Sequence, residues 1–264
     1  MFSDYVVLIT GASSGIGLGI AREFVKAGAT VVGTDLDGDR LAAAGEELGD
    51  KFIPKVSDVR QESQIVDLSA YVAETFQRLD VLVNNAGVIK VVGPEQMTEK
   101  DFYNEYDVTV KGPMLMVKYF AALLRKSTNP SIANISSSAV NNEAPLNGLY
   151  GSAKSAQEKY ARHMVRDLPG IRSNTILPGW ILTRMTAQLG LKKEDDEWWV
   201  EQVQPHVPCG RVGKPEDVAN LVLFLSSEKA TYINGASIVI DGGYTIAAIA
   251  TAAGPAGYDA EQPG

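Results

Sequence analysis

Short apolar runs alternate with helix-spaced stretches along this chain, and that alternation restricts its possible folds more than any other feature. The runs cover residues 5–9, 30–34, 52–56, 81–83, 131–135, 172–177 and 237–240. The first, Tyr5-Val6-Val7-Leu8-Ile9, is continuously apolar and rich in β-branched side chains. Such a run suits a strand covered on both faces, as strands of parallel sheets are. Between the runs the period changes: Ile16, Ile20 and Phe24 recur at every fourth position, one stripe of a helix that Gly28 closes. Further helices are predicted over 39–48, 61–76, 101–125, 150–168 and 215–226, the last with Pro215 in its first turn. Strand and helix in strict alternation, joined by short connections, predict an α/β fold with a doubly wound sheet and right-handed crossovers.

At ~150 residues per domain, 264 residues leave one domain or two. No Pro/Ser-rich linker divides the alternation, so one domain is expected over 1–245, followed by an extension over 246–264 rich in Ala, Gly and Pro. Residues 183–208 form a long excursion between a strand and the next helix. A stretch of that length inside a compact domain is usually a functional lid or mobile. The chain carries 24 basic and 32 acidic residues, a net charge of −8. An acidic chain without a Lys/Arg run repels a polyanion, so no nucleic-acid partner is expected. One Cys excludes an intrachain disulfide and fits a reducing compartment. Two His and one Cys cannot build a His/Cys zinc site, so no metal is expected. Apolar runs of about 18 residues are lacking, and Met1-Phe2-Ser3-Asp4 has no basic leader pattern, so neither membrane nor export is expected and the location read is cytoplasmic.

Three groups of residues carry chemistry. Gly11, Gly15 and Gly17 lie between the first strand and the first helix. Glycines permit the tight turn and a close approach of backbone to phosphate, and the helix N-terminus offers free N–H groups and a positive dipole end. A plain turn is the simpler reading of glycines alone; the strand–loop–helix context favours a pyrophosphate site. Asp35 ends the second strand, where an acidic side chain accepts hydrogen bonds from ribose hydroxyls and repels a 2′-phosphate. With no Lys or Arg in Ser13-Ser14 or at residues 36–38, NAD is favoured over NADP. Tyr150 and Lys154 stand four apart on one helical face. An ordinary Tyr is a poor base near neutrality, and a nearby ammonium favours tyrosinate. By themselves such pairs are mostly surface decoration.

Together these stretches resemble the short-chain dehydrogenase/reductase family. The matching motifs are Thr10-Gly11-Ala12-Ser13-Ser14-Gly15-Ile16-Gly17, Asn84-Asn85-Ala86-Gly87, a Ser ahead of Tyr150-Gly151-Ser152-Ala153-Lys154, and Pro178-Gly179, spread over about residues 4–245. The resemblance implies a Rossmann-like sheet of seven parallel strands with helices on both faces, with NAD across its carboxyl edge. It implies Tyr150 as proton donor and acceptor, Lys154 on the nicotinamide ribose and lowering the Tyr150 pKa, and a serine on the substrate oxygen. Ser137, thirteen residues before Tyr150, has a common family spacing and is preferred to Ser136 and Ser138. Ser13, Ser14 and Ile16 belong to the implied glycine loop and Leu36 follows Asp35. Asp58 and Val59 match the adenine contacts, Asn85, Ala86 and Gly87 the stretch under the adenine ribose. Pro178, Gly179, Trp180, Ile181 and Thr183 match the segment along the nicotinamide, with Thr183 on its carboxamide. A homotetramer is implied, built from the long helices and the last strand.

One departure stands out. Val108-Thr109-Val110-Lys111-Gly112 carries Thr109 where the family usually has an Asn thought to hold a water in a proton relay. Asn104 is five residues earlier and about 140° around the helix, a poor substitute. Thr109 is expected to serve a rewired relay. His163, His206 and Cys209 read as ordinary structural residues, and the acids at 194–197 as a solvated face. Trp198 and Trp199 suit either core or lid. Trp180, Leu146, Met185 and Leu189 favour an apolar or aromatic substrate. The expected activity is NAD(H)-dependent interconversion of a secondary alcohol and a ketone, a small-molecule substrate. The alternatives are a 3-oxoacyl thioester reductase, against which Asp35 and the acidic charge argue, and a non-catalytic dinucleotide-binding regulator.

Overall fold

A computed structural model describes residues 2–142, 144–183, 185 and 196–247, with backbone alone over 196–199. Strands β1 (Val6–Thr10), β2 (Thr30–Asp35), β3 (Phe52–Val56), β4 (Val81–Asn84), β5 (Ser131–Ile135), β6 (Arg172–Pro178) and β7 (Ser237–Ile240) form one sheet in the order β3-β2-β1-β4-β5-β6-β7. Every pairing is parallel; Leu8 of β1 lies opposite both Val32 and Leu82. The runs of β1, β4, β5 and β6 are buried on both faces, since alternate side chains point to opposite sides, while the edge strands β3 and β7 are only partly covered. Val7 and Ile9 meet α1 (Gly15–Lys26), α2 (Gly38–Leu48) and α8 (Pro215–Ser226) through Ile20, Phe24, Leu41 and Val222. Val6 and Leu8 meet α3 (Glu62–Phe76), α5 (Gly112–Leu124) and α6 (Gly148–Asp167) through Ile65, Phe120 and Met164. The strand order reverses between β1 and β4, opening a crevice at the carboxyl edge of the sheet, where ligands of doubly wound folds bind.

The helix expected over 101–125 is interrupted. α4 (Glu99–Tyr106) begins with a reciprocal cap between Thr98 and Asp101, and a π turn over Asp107–Lys111 joins it to α5. Thr109 sits in that turn. Residues 184 and 186–195 of the excursion expected as a lid, Leu189 among them, lie outside the described residues, as do the side chains of Trp198 and Trp199. Its described end holds α7 (Asp196–Val203), and Val203, Val207 and Val212 make a small apolar cluster with Trp180 and Tyr244. The extension is described only to residue 247. Among the described residues no helix is long and apolar enough to cross a membrane.

Candidate active site

Two adjoining cavities open at the carboxyl edge. The first, about 330 Å³, is lined by Gly11, Ser13, Ser14, Gly15 and Ile16 from the loop after β1, and by Asp35 and Leu36 at the end of β2. Asp58 and Val59 follow β3 into it, Asn85, Ala86 and Gly87 follow β4, and Lys154 and Thr183 complete the wall. The loop is shaped by backbone that only glycine adopts freely: φ is +66° at Gly11 and +54° at Gly15. Gly17 does not line the cavity. A Cβ there would stand 2.0 Å from the Gly11 carbonyl oxygen, so its smallness lets α1 dock against the loop. Asn85 braces the same loop, its Nδ2 donating to the carbonyls of Thr10 (2.9 Å) and Gly11 (3.1 Å). Asp35 accepts from the N–H (3.2 Å) and hydroxyl (2.7 Å) of Ser13. The hydroxyls of Thr34 and Ser57, both at this wall, are buried without a hydrogen-bond partner. A polar ligand satisfies such groups where the protein does not. Sequence reasoning stopped at residue 38 and missed Arg40, which also lines the cavity while pairing with Asp37 at 2.9 Å.

The second cavity, about 320 Å³, holds Ser137, Pro178, Gly179, Trp180 and Ile181. Those last four line the second cavity and not the first, although they continue the chain toward Thr183, which lines both. Ile16, Ser136, Tyr150, Thr183 and Met185 belong to both cavities. Ile89, Val91, Asn142 and Asn147, from loops with no regular period, and Tyr244, from a helical turn after β7, also line the second one and were not anticipated. Leu146 was expected near substrate, but its side chain is 56% exposed and lines neither cavity. Its backbone has φ +62°, a turn conformation that aims the side chain outward.

Tyr150 and Lys154 project from α6 and are almost completely buried. Ser137 Oγ accepts from the Ala139 N–H at 3.1 Å, and its side chain lies near enough to Tyr150 to favour the phenolate. Of the neighbouring serines, Ser136 Oγ donates to the Lys154 carbonyl at 3.2 Å, while Ser138 opens a short 3-10 turn and also lines the second cavity. Lys154 Nζ donates to the Ile135 carbonyl at 2.8 Å and to Gln157 Oε1 at 3.4 Å. Burial pushes the Tyr150 phenol up to about 12, with Ser137 opposing the shift. Burial pushes Lys154 down to about 8. The sequence expectation that the ammonium lowers the phenol's pKa is thus outweighed: desolvation dominates, and Nζ stands 5.8 Å from the ring centroid. Thr109 is fully buried and lines neither cavity. Its hydroxyl lies 3.3 Å from Oε1 of Glu105. Asn104 instead accepts from Arg60 at the surface, 2.9 Å away.

Sequence and fold comparisons agree with this geometry. A family model described as "Enoyl-(Acyl carrier protein) reductase" matches residues 11–245. The chain is 35% identical over 246 residues to the 3-oxoacyl-[acyl-carrier-protein] reductase FabG of Thermotoga maritima, covering 91% of this chain and 98% of that protein. It is 30% identical over 253 residues to the 2,3-dihydro-2,3-dihydroxybenzoate dehydrogenase of Escherichia coli, covering 94% and 99%. A solved structure described as a short-chain dehydrogenase/reductase, glucose/ribitol dehydrogenase, from Brucella melitensis superposes with a TM-score of 0.86 at 29% identity, covering 92% of this chain and 97% of that one.

Proposed function

Because the chain belongs to the short-chain dehydrogenase/reductase family, we propose that it interconverts a secondary alcohol and a ketone with NAD(H), Tyr150 acting as general acid and base. The observation that carries this reading is the position of Tyr150 in the walls of both cavities, with Lys154 on one side and Ser137 on the other. When bound, the nicotinamide supplies the hydride acceptor or donor. The first cavity fits such a dinucleotide: it has the left-handed glycines, the Asp35 carboxylate for a ribose, and the unpartnered Thr34 and Ser57 hydroxyls. Gly11 to Ile16, Asn85 to Gly87, Lys154 and Thr183 would hold it. Ser137 and Tyr150 then grip one substrate oxygen, and the proton of the carbinol is exchanged at the Tyr150 Oη. Ile89, Val91, Trp180 and Met185 give the second cavity an apolar wall that suits a hydrophobic or ring-bearing substrate. NAD is preferred over NADP because Asp35 places a negative charge where a 2′-phosphate would sit, and Arg40 is already paired with Asp37.

A second reading, reduction of a 3-oxoacyl thioester, is favoured by the named activity of the Thermotoga maritima relative. The test is turnover, followed by nicotinamide absorbance, over a panel of secondary alcohols and one 3-oxoacyl thioester, each with NAD(H) and NADP(H) in parallel. Alcohol oxidation with NAD supports the first reading. Thioester reduction with NADPH alone replaces it with the second, and dinucleotide binding without any turnover identifies a regulator.

A further inference from the structure

Glu105 is a buried acidic residue with no part in the chemistry described so far. It is fully inaccessible in the last turn of α4, two residues before the π turn begins at Asp107. Buried carboxylates normally pair with a cation. Among the described residues no ion pair includes Glu105. Its two oxygens are held one each, Oε1 by the Thr109 hydroxyl and Oε2 by the Lys90 N–H at 3.1 Å. The surrounding charges are otherwise committed. Lys90 Nζ pairs with Asp101, Lys111 with Asp107, and Arg60 with Asp58. What faces Glu105 from α6, which packs on both α4 and the π turn, is Lys154 and Tyr150. Lys154 itself touches only neutral oxygens among its described hydrogen bonds.

Resting on the dehydrogenase reading above, we propose that Glu105 is a positioning residue, the buried counter-charge that sets the pH window in which the Tyr150–Lys154 pair works. Three features of this chain combine to make that device. Thr109 stands four residues on from Glu105, on the same helical face, within a π turn of the kind that recurs at functional sites. Thr109, shorter than an Asn, supplies one donor to the carboxylate. Gly87 lies beside the ammonium: a Cβ there would stand 3.4 Å from Lys154 Nζ. Burial pushes Glu105 up to about 7, against the opposing pull of Lys154, the Lys90 N–H and Thr109. The carboxylate charge raises both Lys154 and Tyr150. Removing it lowers both, so both limbs of a pH–rate profile move toward acid. Below about pH 7 Glu105 takes a proton and its influence fades, so parent and variant converge there and diverge above.

Two measurements test this. In the first, kcat/KM for alcohol oxidation is followed against pH in the parent and in Glu105→Gln. The alkaline limb is expected to move down by about one pH unit, the low end of what a charge exerts inside a protein. Superimposed profiles, or a shift toward alkali, overturn the proposal. The second needs no turnover. In the cofactor-free protein, the infrared C=O stretch of a protonated carboxyl is followed between pH 5 and pH 9. A band that fades through neutrality and is missing in Glu105→Gln is expected. Coupling is reciprocal, so in Lys154→Met the same band should persist about one pH unit higher. Thr109→Val, which removes a donor and leaves Glu105 in place, should move it in the same direction. A band unaffected by Lys154→Met overturns the coupling. Lack of turnover on every alcohol in the panel would instead defeat the dehydrogenase reading, while the infrared result still decides the role of Glu105.

Discussion

At the residue scale, the site depends on groups whose burial works against their charge. Tyr150, a phenol already neutral over the ordinary pH range, is held more firmly in that form by desolvation. It is therefore ready to give a proton and needs neighbouring groups to take one. Tyr150→Phe should lower turnover by roughly 10²- to 10⁴-fold, the usual contribution of a general acid or base, with the dissociation constant for NAD unchanged in a binding titration. Asp35→Ala removes a charged acceptor worth about 1.5–3 kcal/mol. It should weaken NAD by roughly ten- to a hundredfold and narrow the preference over NADP, read as the ratio of kcat/KM for the two. Glu105 also makes stability pH-dependent. Its folded pKa lies above the ordinary carboxylate value, so the fold favours the protonated form. That contribution is fully present below pH 4.5 and is lost as pH rises to about 7, a difference of ~3 kcal/mol. Urea unfolding at pH 5 and pH 7.5 should show a smaller drop in Glu105→Gln than in the parent.

At the element scale, the glycine loop and the π turn do different work. The loop holds its shape through contacts with no slack. Gly17→Ala puts a methyl on the Gly11 carbonyl and on Asn85 Nδ2. Overpacking of this kind costs ~1–3 kcal/mol. The variant should melt at a lower temperature and bind NAD weakly, as measured by calorimetry. The spacing of residues 11, 15 and 17 makes this loop legible in the sequence. The π turn is not legible there, because a sequence pattern distinguishes helix from strand by period, and one inserted residue changes the local rise too little to disturb that period. Glu105 stays hidden for a related reason. A lone acid on a helical stretch reads as solvent-facing, and only the packing of α6 against α4 puts it inside.

For the whole molecule, the parallel sheet leaves β7 at one edge, with Val239 42% exposed and Phe224 of α8 43% exposed. Phe102, Tyr103 and Met114 are exposed on α4 and α5. We propose that these two faces are the subunit contacts of a homotetramer. Light scattering should give a tetramer for the parent and a smaller species for Phe224→Glu, since burying an unpaired charge at an interface costs several kcal/mol. A monomeric parent would remove the proposal.

The sequence alone determined the alternation of strand and helix and the doubly wound α/β class, and with the family resemblance the seven-stranded parallel sheet; the strand order and its reversal between β1 and β4 come from the structure. Apolar runs buried on both sides have few other ways to be covered, and glycines at fixed spacing leave few conformations open. It also placed Gly11, Asp35, Tyr150 and Lys154 in a common region through local motifs. Only the tertiary structure decided which groups share an electric field. Desolvation, not the nearby ammonium, sets the Tyr150 pKa; Arg40 reaches the cavity from beyond the expected loop; Leu146 turns outward. Glu105 becomes the counter-charge of Lys154 although the two are far apart in the chain, because burial and through-space charge depend on how helices pack, and no linear pattern encodes that.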